Sequence, residues 1–116
     1  MAKILVVNND IDTMLLLKSW FERKKYKVKF TGNANDVPHI INEFAPDILL
    51  IDILQNKVTE QLKSQYKTKK IPVIVMTGYT LDTQNESPVM VDDVIEKPFD
   101  PKLLEKKIEN ALQKTG

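Results

Sequence analysis

The sequence predicts an α/β domain in which five parallel strands, in the order 2-1-3-4-5, are doubly wound with helices on both faces. Three observations carry this. Short aliphatic runs at residues 4–7, 48–51 and 73–76 are apolar at every position, as strands buried on both faces are. These runs alternate along the whole chain with segments whose apolar residues recur at helical spacing, the pattern of a parallel sheet covered on both sides. The runs also end in polar residues: Asn8, Asn9 and Asp10, then Asp52, Thr77 and Lys97. A sheet of this class collects such residues at the carboxyl edge of its strands, where its ligands bind.

Each element has a local cause. Ile4-Leu5-Val6-Val7 forms the first strand and Asn8-Asn9-Asp10 its turn. Asp10 or Asp12 can cap the helix that follows. Its apolar face reads as Ile11, Met14, Leu15 and Phe21, with Lys18 a mixed site and Leu17 and Trp20 broadening the stripe. The second strand covers Lys27–Thr31, where Val28 and Phe30 alternate with lysine. Asn33 to Asp36 make a turn and cap for a helix with the stripe Val37, Ile40, Ile41 and Phe44. Pro38 falls in its first turn, where no amide donor is required, and Pro46 closes it.

The third strand runs from Asp47 to the carboxylate of Asp52. Val58, Leu62 and Tyr66 lie four apart on a short, mostly polar helix. Pro72-Val73-Ile74-Val75-Met76 is the fourth strand, with proline at its first position, and it ends at Thr77-Gly78. Residues 79–90 hold Pro88 and several turn-forming residues, which predicts a short, distorted fourth helix. Residues 91–96 form the fifth strand, followed by Lys97-Pro98. Asp100 caps the last helix, Pro101 opens it, and Leu104, Ile108, Ala111 and Leu112 form its buried stripe.

Composition narrows the function. The chain of 116 residues fits one domain, and no linker, repeat or low-complexity tract divides it. A net charge of +1 does not suggest a nucleic-acid or membrane partner. Two basic runs, Arg23-Lys24-Lys25 and Lys67 with Lys69-Lys70, read as solvated turns, and His39 as a surface residue. With no cysteine, disulfides, thiol catalysis and cysteine-ligated zinc are excluded. No apolar run approaches the roughly 20 residues of a membrane span, and residues 1–7 are too short a run for a signal peptide. The expectation is a soluble, cytoplasmic protein.

The polar strand ends make chemical sense together. A carboxylate can attack phosphorus to give an acyl phosphate, and an ammonium and a hydroxyl can hold the charge that arrives. On these residues the sequence resembles the receiver domains of two-component response regulators. The resemblance runs the length of the chain, through Lys3-Ile4-Leu5-Val6-Val7, the segment from Pro46 to Asp52, the segment from Ile71 to Gly78, and Lys97-Pro98-Phe99. It implies a flavodoxin-like receiver domain over residues 1–116, with Asp52 as phosphoacceptor, Thr77 as switch hydroxyl and Lys97 as phosphate-binding lysine. Gly78, Tyr79 and Leu54 would tune access to the phosphoryl group and its loss. Magnesium would be held by Asp52, Asn9 and the Leu54 backbone carbonyl, with Asn8 and Asp10 as further candidates.

Three departures bear on those implications. Asn8 and Asn9 stand where the family has an acidic pair, which weakens the magnesium site, although Asn is also an ordinary turn residue. Asn56 and Glu60 stand in the places of the usual proline and glycine, in a stretch from Asp52 to Thr77 that is short for the family. Val94 stands where many receivers carry a switch aromatic.

The resemblance implies a signalling module rather than an enzyme. It would take a phosphoryl group from a histidine kinase or phosphotransfer protein and act on a downstream protein by contact, as a monomer or weak dimer. The contact surface would be the fourth helix, fifth strand and last helix. A degenerate receiver that binds partners without phosphorylation is the alternative. A flavodoxin-like enzyme or ligand binder is a third, but no glycine-rich phosphate loop supports it and the chain has only 3 glycines. The poor helical pattern at residues 81–90 sets a first test: its amides should exchange hydrogen faster than those of the last helix, and equal protection in both would contradict the assignment.

Overall fold

The computed structural model describes residues 2–24, 26–52, 71–78 and 92–114. Strand β1 is Lys3–Val7, β2 Lys27–Thr31, β3 Ile48–Asp52, β4 Val73–Thr77 and β5 Asp93–Glu96. Helix α1 is Ile11–Glu22, α2 Val37–Phe44 and α3 Pro101–Lys114, with a 3-10 turn at Ala34–Asp36 leading into α2. The strands pair in the expected order β2-β1-β3-β4-β5, and every pair is parallel, as the alternation of strand and helix predicts. The expected helix around Val58, Leu62 and Tyr66 and the segment at 79–90 lie outside the described residues.

The two-residue period of a strand divides its side chains between two cores. On one face Ile4, Val6, Ile48, Leu50, Ile74 and Met76 pack with Leu17 and Phe21 of α1 and Leu104, Ile108 and Ala111 of α3. On the other, Leu5, Val7, Leu49, Ile51, Val73 and Val75 pack with Val37, Ile40 and Ile41 of α2. The central strands β1, β3 and β4 therefore have no polar face, and their apolar runs end only where the sheet does.

The caps follow from side-chain chemistry. The Asp10 carboxylate accepts the Asp12 amide at the start of α1, which decides between the two candidate caps. Asp100 accepts the Lys102 amide at 2.9 Å at the start of α3. Ala45 ends α2 in the left-handed region, with φ at 52°, and its amide donates to the Ile41 carbonyl at 3.0 Å. Pro46 comes next and cannot extend the helix. Lys3 seals this end of the fold: its amide donates to the Asp47 carboxylate at 2.8 Å, and its ammonium donates to the Phe44 carbonyl at 3.2 Å.

The face of α1 differs from the sequence reading. Thr13, Leu17 and Phe21 are buried, whereas Ile11 is 66% and Leu15 56% exposed. Apolar residues occur nearly all round this helix, so periodicity does not choose the inward face. The choice is made by Leu17 and Phe21, spaced four apart, meeting Ile4, Val6 and Leu104. Among the described residues, no helix is long and apolar enough to cross a membrane.

This rotation has a measurable consequence. Leu104→Ala, at a site with no exposure, should cost about 2–5 kcal/mol in urea unfolding. Leu15→Ala should stay within about 0.5 kcal/mol, as surface substitutions do, and a loss like that of Leu104 would contradict the observed face.

Candidate functional site

The site lies where the strands end. Val7 is paired with Thr31 on one side and Ile51 on the other, and Asp52 pairs with Met76, so β1, β3 and β4 end nearly level. Beyond the last β4–β5 pair, the Lys97 amide donates to the Thr77 carbonyl at 2.6 Å, extending the ladder by one residue. Lys97 is thereby brought to the same edge as Asp52 and Thr77. The Lys97–Pro98 peptide is cis, and Phe99 is buried in the core shared with α3.

The Lys97 ammonium donates to Asp52 Oδ2 at 3.0 Å and lies 3.6 Å from Asp10 Oδ2. The Asp52 side chain is 11% exposed and that of Lys97 19%, so this charge-assisted contact is screened far less than a surface pair. Thr77 is almost wholly buried at the end of β4. Gly78 is exposed, and a Cβ built there would meet nothing within 4 Å among the described residues. A cleft of about 280 Å³ opens beside these groups, lined by Asp10, Asp12, Thr13, Leu16, Gly78, Lys97, Pro98 and Phe99.

The β1–α1 turn shows what the two asparagines do. Asn8 is buried, its Nδ2 donating to the Asp10 carbonyl at 2.9 Å while its Oδ1 accepts the Asp10 amide at 3.0 Å. Both ends of the amide are thus spent on the backbone of Asp10. Asn9 is exposed, and its Oδ1 lies 2.6 Å from where a Cβ on Gly32 would stand. Gly32 follows β2, which flanks β1 on the side away from β3, so the Asn9 amide reaches away from Asp52. The absence of a side chain at Gly32 makes room for it.

Asp10 is likewise committed. Its Oδ2 accepts the Thr13 hydroxyl at 2.7 Å and its Oδ1 the Asp12 amide at 3.1 Å. The Thr13 hydroxyl holds the Asp10 carboxyl below its ordinary range, helped by the Asp12 amide and the Lys97 ammonium and opposed by partial desolvation. Among the described residues, no three acidic or histidine side chains come together as a cation site. The side chains proposed as magnesium ligands therefore make a poor donor set: one amide is used by a turn, one is turned toward β2, and both carboxylates face Lys97.

Asp52, Thr77, Lys97, Asp10 and Gly78 are thus gathered at one edge, with Asn8 serving the turn and Asn9 lying to one side. Leu54, Tyr79, Asn56 and Glu60 lie outside the described residues. Val94 is half-buried against the core beneath α2. His39 is exposed and sits 3.3 Å from Glu43, four residues on. Lys24 pairs with Glu105 at 3.4 Å and lies over the Trp20 ring. Sequence reasoning missed Thr13, although its three-residue spacing from a capping Asp10 was a usable signal. It also missed Leu16 and Phe99 as cleft walls, since nothing local says which apolar residues border a site.

Comparison with known proteins agrees with this fold. The response regulator receiver domain family matches residues 4–109. The chain is 28% identical over 120 residues to the transcriptional regulatory protein CpxR homolog of Haemophilus influenzae, covering 100% of this chain and 52% of that protein. It is 29% identical over 117 residues to the response regulator SaeR of Staphylococcus aureus, covering 97% of this chain and 51% of the other. The chain thus spans about half the length of these curated relatives. Among solved structures, the N-terminal domain of the nisin resistance regulator NsrR superposes with a TM-score of 0.78 at 29% identity, covering 97% of this chain and 98% of the other. The receiver domain of the sensor histidine kinase PA1611 from Pseudomonas aeruginosa, solved with magnesium in its active-site cleft, superposes with a TM-score of 0.87 at 16% identity, covering 97% and 98%.

The turn yields the next prediction. Asn8→Asp replaces the Nδ2 donor with a carboxylate oxygen facing the Asp10 carbonyl. It should destabilise the fold by about 1–3 kcal/mol at neutral pH, the cost of a broken buried hydrogen bond. Urea unfolding would measure it, and no loss would show that the amide is not a clamp.

Proposed function

The chain belongs to the response regulator receiver domain family, and on that premise we propose that residues 1–116 form one phosphoacceptor domain. Asp52 takes a phosphoryl group from the phosphohistidine of a histidine kinase or phosphotransfer protein, and the chain signals by contact with a downstream protein. The observation that carries this reading is the Lys97 ammonium, 3.0 Å from Asp52 Oδ2 at the strand edge that also holds Thr77.

In this reading an Asp52 carboxylate oxygen forms a bond to phosphorus as the phosphorus–nitrogen bond of the donor breaks, and the leaving imidazole keeps the electron pair. Lys97 and Thr77 meet the charge on the transferred oxygens, by ammonium and hydroxyl respectively. Gly78 leaves the approach open. Magnesium, which the family resemblance implies, would add positive charge beside Asp52. The described donor set fits it poorly.

The exposed side chains of Ile11, Leu15 and Leu16 on α1 support docking of a protein phosphodonor. They form an apolar shoulder beside the cleft that Leu16 and Pro98 line. Phosphorylation would then shift a two-state equilibrium. With valine at position 94, that shift cannot use rotation of a ring at this position. One relative carries the name of a transcriptional regulatory protein, and this chain matches about half of that protein's length.

Incubation with a small phosphodonor, followed by intact mass, tests the reading. One phosphoryl group should add to the native chain and none to Asp52→Asn. If neither gains mass, the domain is a phosphorylation-independent interaction module, the reading that Asn8, Asn9 and Val94 favour.

A further inference from the structure

Two carboxylates at the strand edge are arranged around a lysine. Lys97 Nζ sits between Asp52 Oδ2 at 3.0 Å and Asp10 Oδ2 at 3.6 Å. The asparagines at positions 8 and 9, where carboxylates would be anionic ligands, contribute no charge, and neither amide is directed at Asp52. The ion pairs described at this edge therefore join two carboxylates to one ammonium. We propose that the Lys97 ammonium, clasped between Asp52 and Asp10, is the resident cation of this site and takes the place of a divalent metal. The proposal rests on the phosphoacceptor reading and deepens it: the transfer to Asp52 proceeds without magnesium.

The physical reason is a balance between two ions. A divalent cation must give up hydration, and magnesium does so reluctantly, so it needs several anionic oxygens turned toward it. Here Asp10 has both oxygens engaged by Thr13 and Asp12, which fixes the carboxylate in the α1 cap. Asp52 has its Oδ2 on Lys97. A metal would have to displace the ammonium and break the pair. The ammonium is tethered through a backbone itself bonded to Thr77 and followed by the buried Phe99, so it stays at the site without being bound from solution. Neutral asparagines at positions 8 and 9 also lower the repulsion an anionic donor meets, which is the task a metal otherwise performs.

The transfer balances without a metal. A carboxylate oxygen of Asp52 bonds to the phosphorus of an acyl phosphate, the bridging phosphorus–oxygen bond breaks, and the carboxylate leaving group departs with the electron pair. Lys97 turns its donors from Asp52 Oδ2 to the transferred oxygens.

Two measurements on the full chain test this. Manganese alone, titrated against the native chain, should not selectively broaden the amide resonances of Asn8, Asp52 and Thr77. In Lys97→Met, with the competing ammonium removed, it should bind at least about tenfold more tightly, the size of effect that a ligand's neighbouring partners carry. Selective broadening in the native chain would overturn the proposal, and this arm needs no variant to register metal binding. In the second measurement, a small acyl phosphate is supplied with magnesium or with excess chelator and labelling is followed by intact mass. Equal labelling rates in both support the proposal. Labelling only with magnesium overturns it while leaving Asp52 as the phosphoacceptor. No labelling in either condition removes the phosphoacceptor reading and with it metal-free transfer, and the manganese titration then decides whether Lys97 is the resident cation.

Discussion

Everything at the site depends on the strands of a parallel sheet ending level. β1, β3 and β4 pair with Val7 opposite Ile51 and Asp52 opposite Met76, and the alternate side chains of these strands fill two apolar cores. Once that register is set, the first polar residue after each apolar run has nowhere to go but the shared edge. Asp52 is such a residue, and so is Asn8. Lys97 reaches the same edge because one more ladder bond to Thr77 carries β5 past its last paired residue. Residues separated by 45 positions thereby form a contact of 3.0 Å.

The β1–α1 turn shows how a change of one atom type alters a site. An aspartate at position 8 would offer two acceptors, but the turn presents an Asp10 carbonyl that needs a donor. Asparagine supplies donor and acceptor together, and the turn closes on itself. That closure places Asp10 as the α1 cap, and the cap places its Oδ2 within reach of both Thr13 and Lys97. The loss of charge at the sheet edge and the tight capping of the first helix are therefore two consequences of one side chain.

The electrostatics of the site follow from this economy. With few carboxylates, Asp52 has a fixed ammonium as its counter-charge, half shared with Asp10. Of the exposed apolar residues of α1, Leu16 borders the cleft together with Pro98 and the charged Asp10 and Lys97. Charge and apolar surface sit side by side because α1 starts at the strand edge and turns only Thr13, Leu17 and Phe21 inward.

By itself the sequence determined the strands and the residues that end them, because the signals are local: unbroken apolar runs, caps at Asp10 and Asp100, and prolines that stop helices. It also singled out Asp52, Thr77 and Lys97, since polar residues after buried strands stand out. What only the tertiary structure decided was rotation and direction. The inward face of α1 depended on which apolar residues met Ile4, Val6 and Leu104, and a helix apolar nearly all round carries no local record of that. The roles of Asn8 and Asn9 depended on where each amide points, one to the Asp10 backbone and one over Gly32. The pairing of Lys97 with Asp10 as well as Asp52 required three elements to meet in space. A sequence states which groups are present, but a hydrogen bond is a matter of distance and angle, and those exist only once the chain has folded.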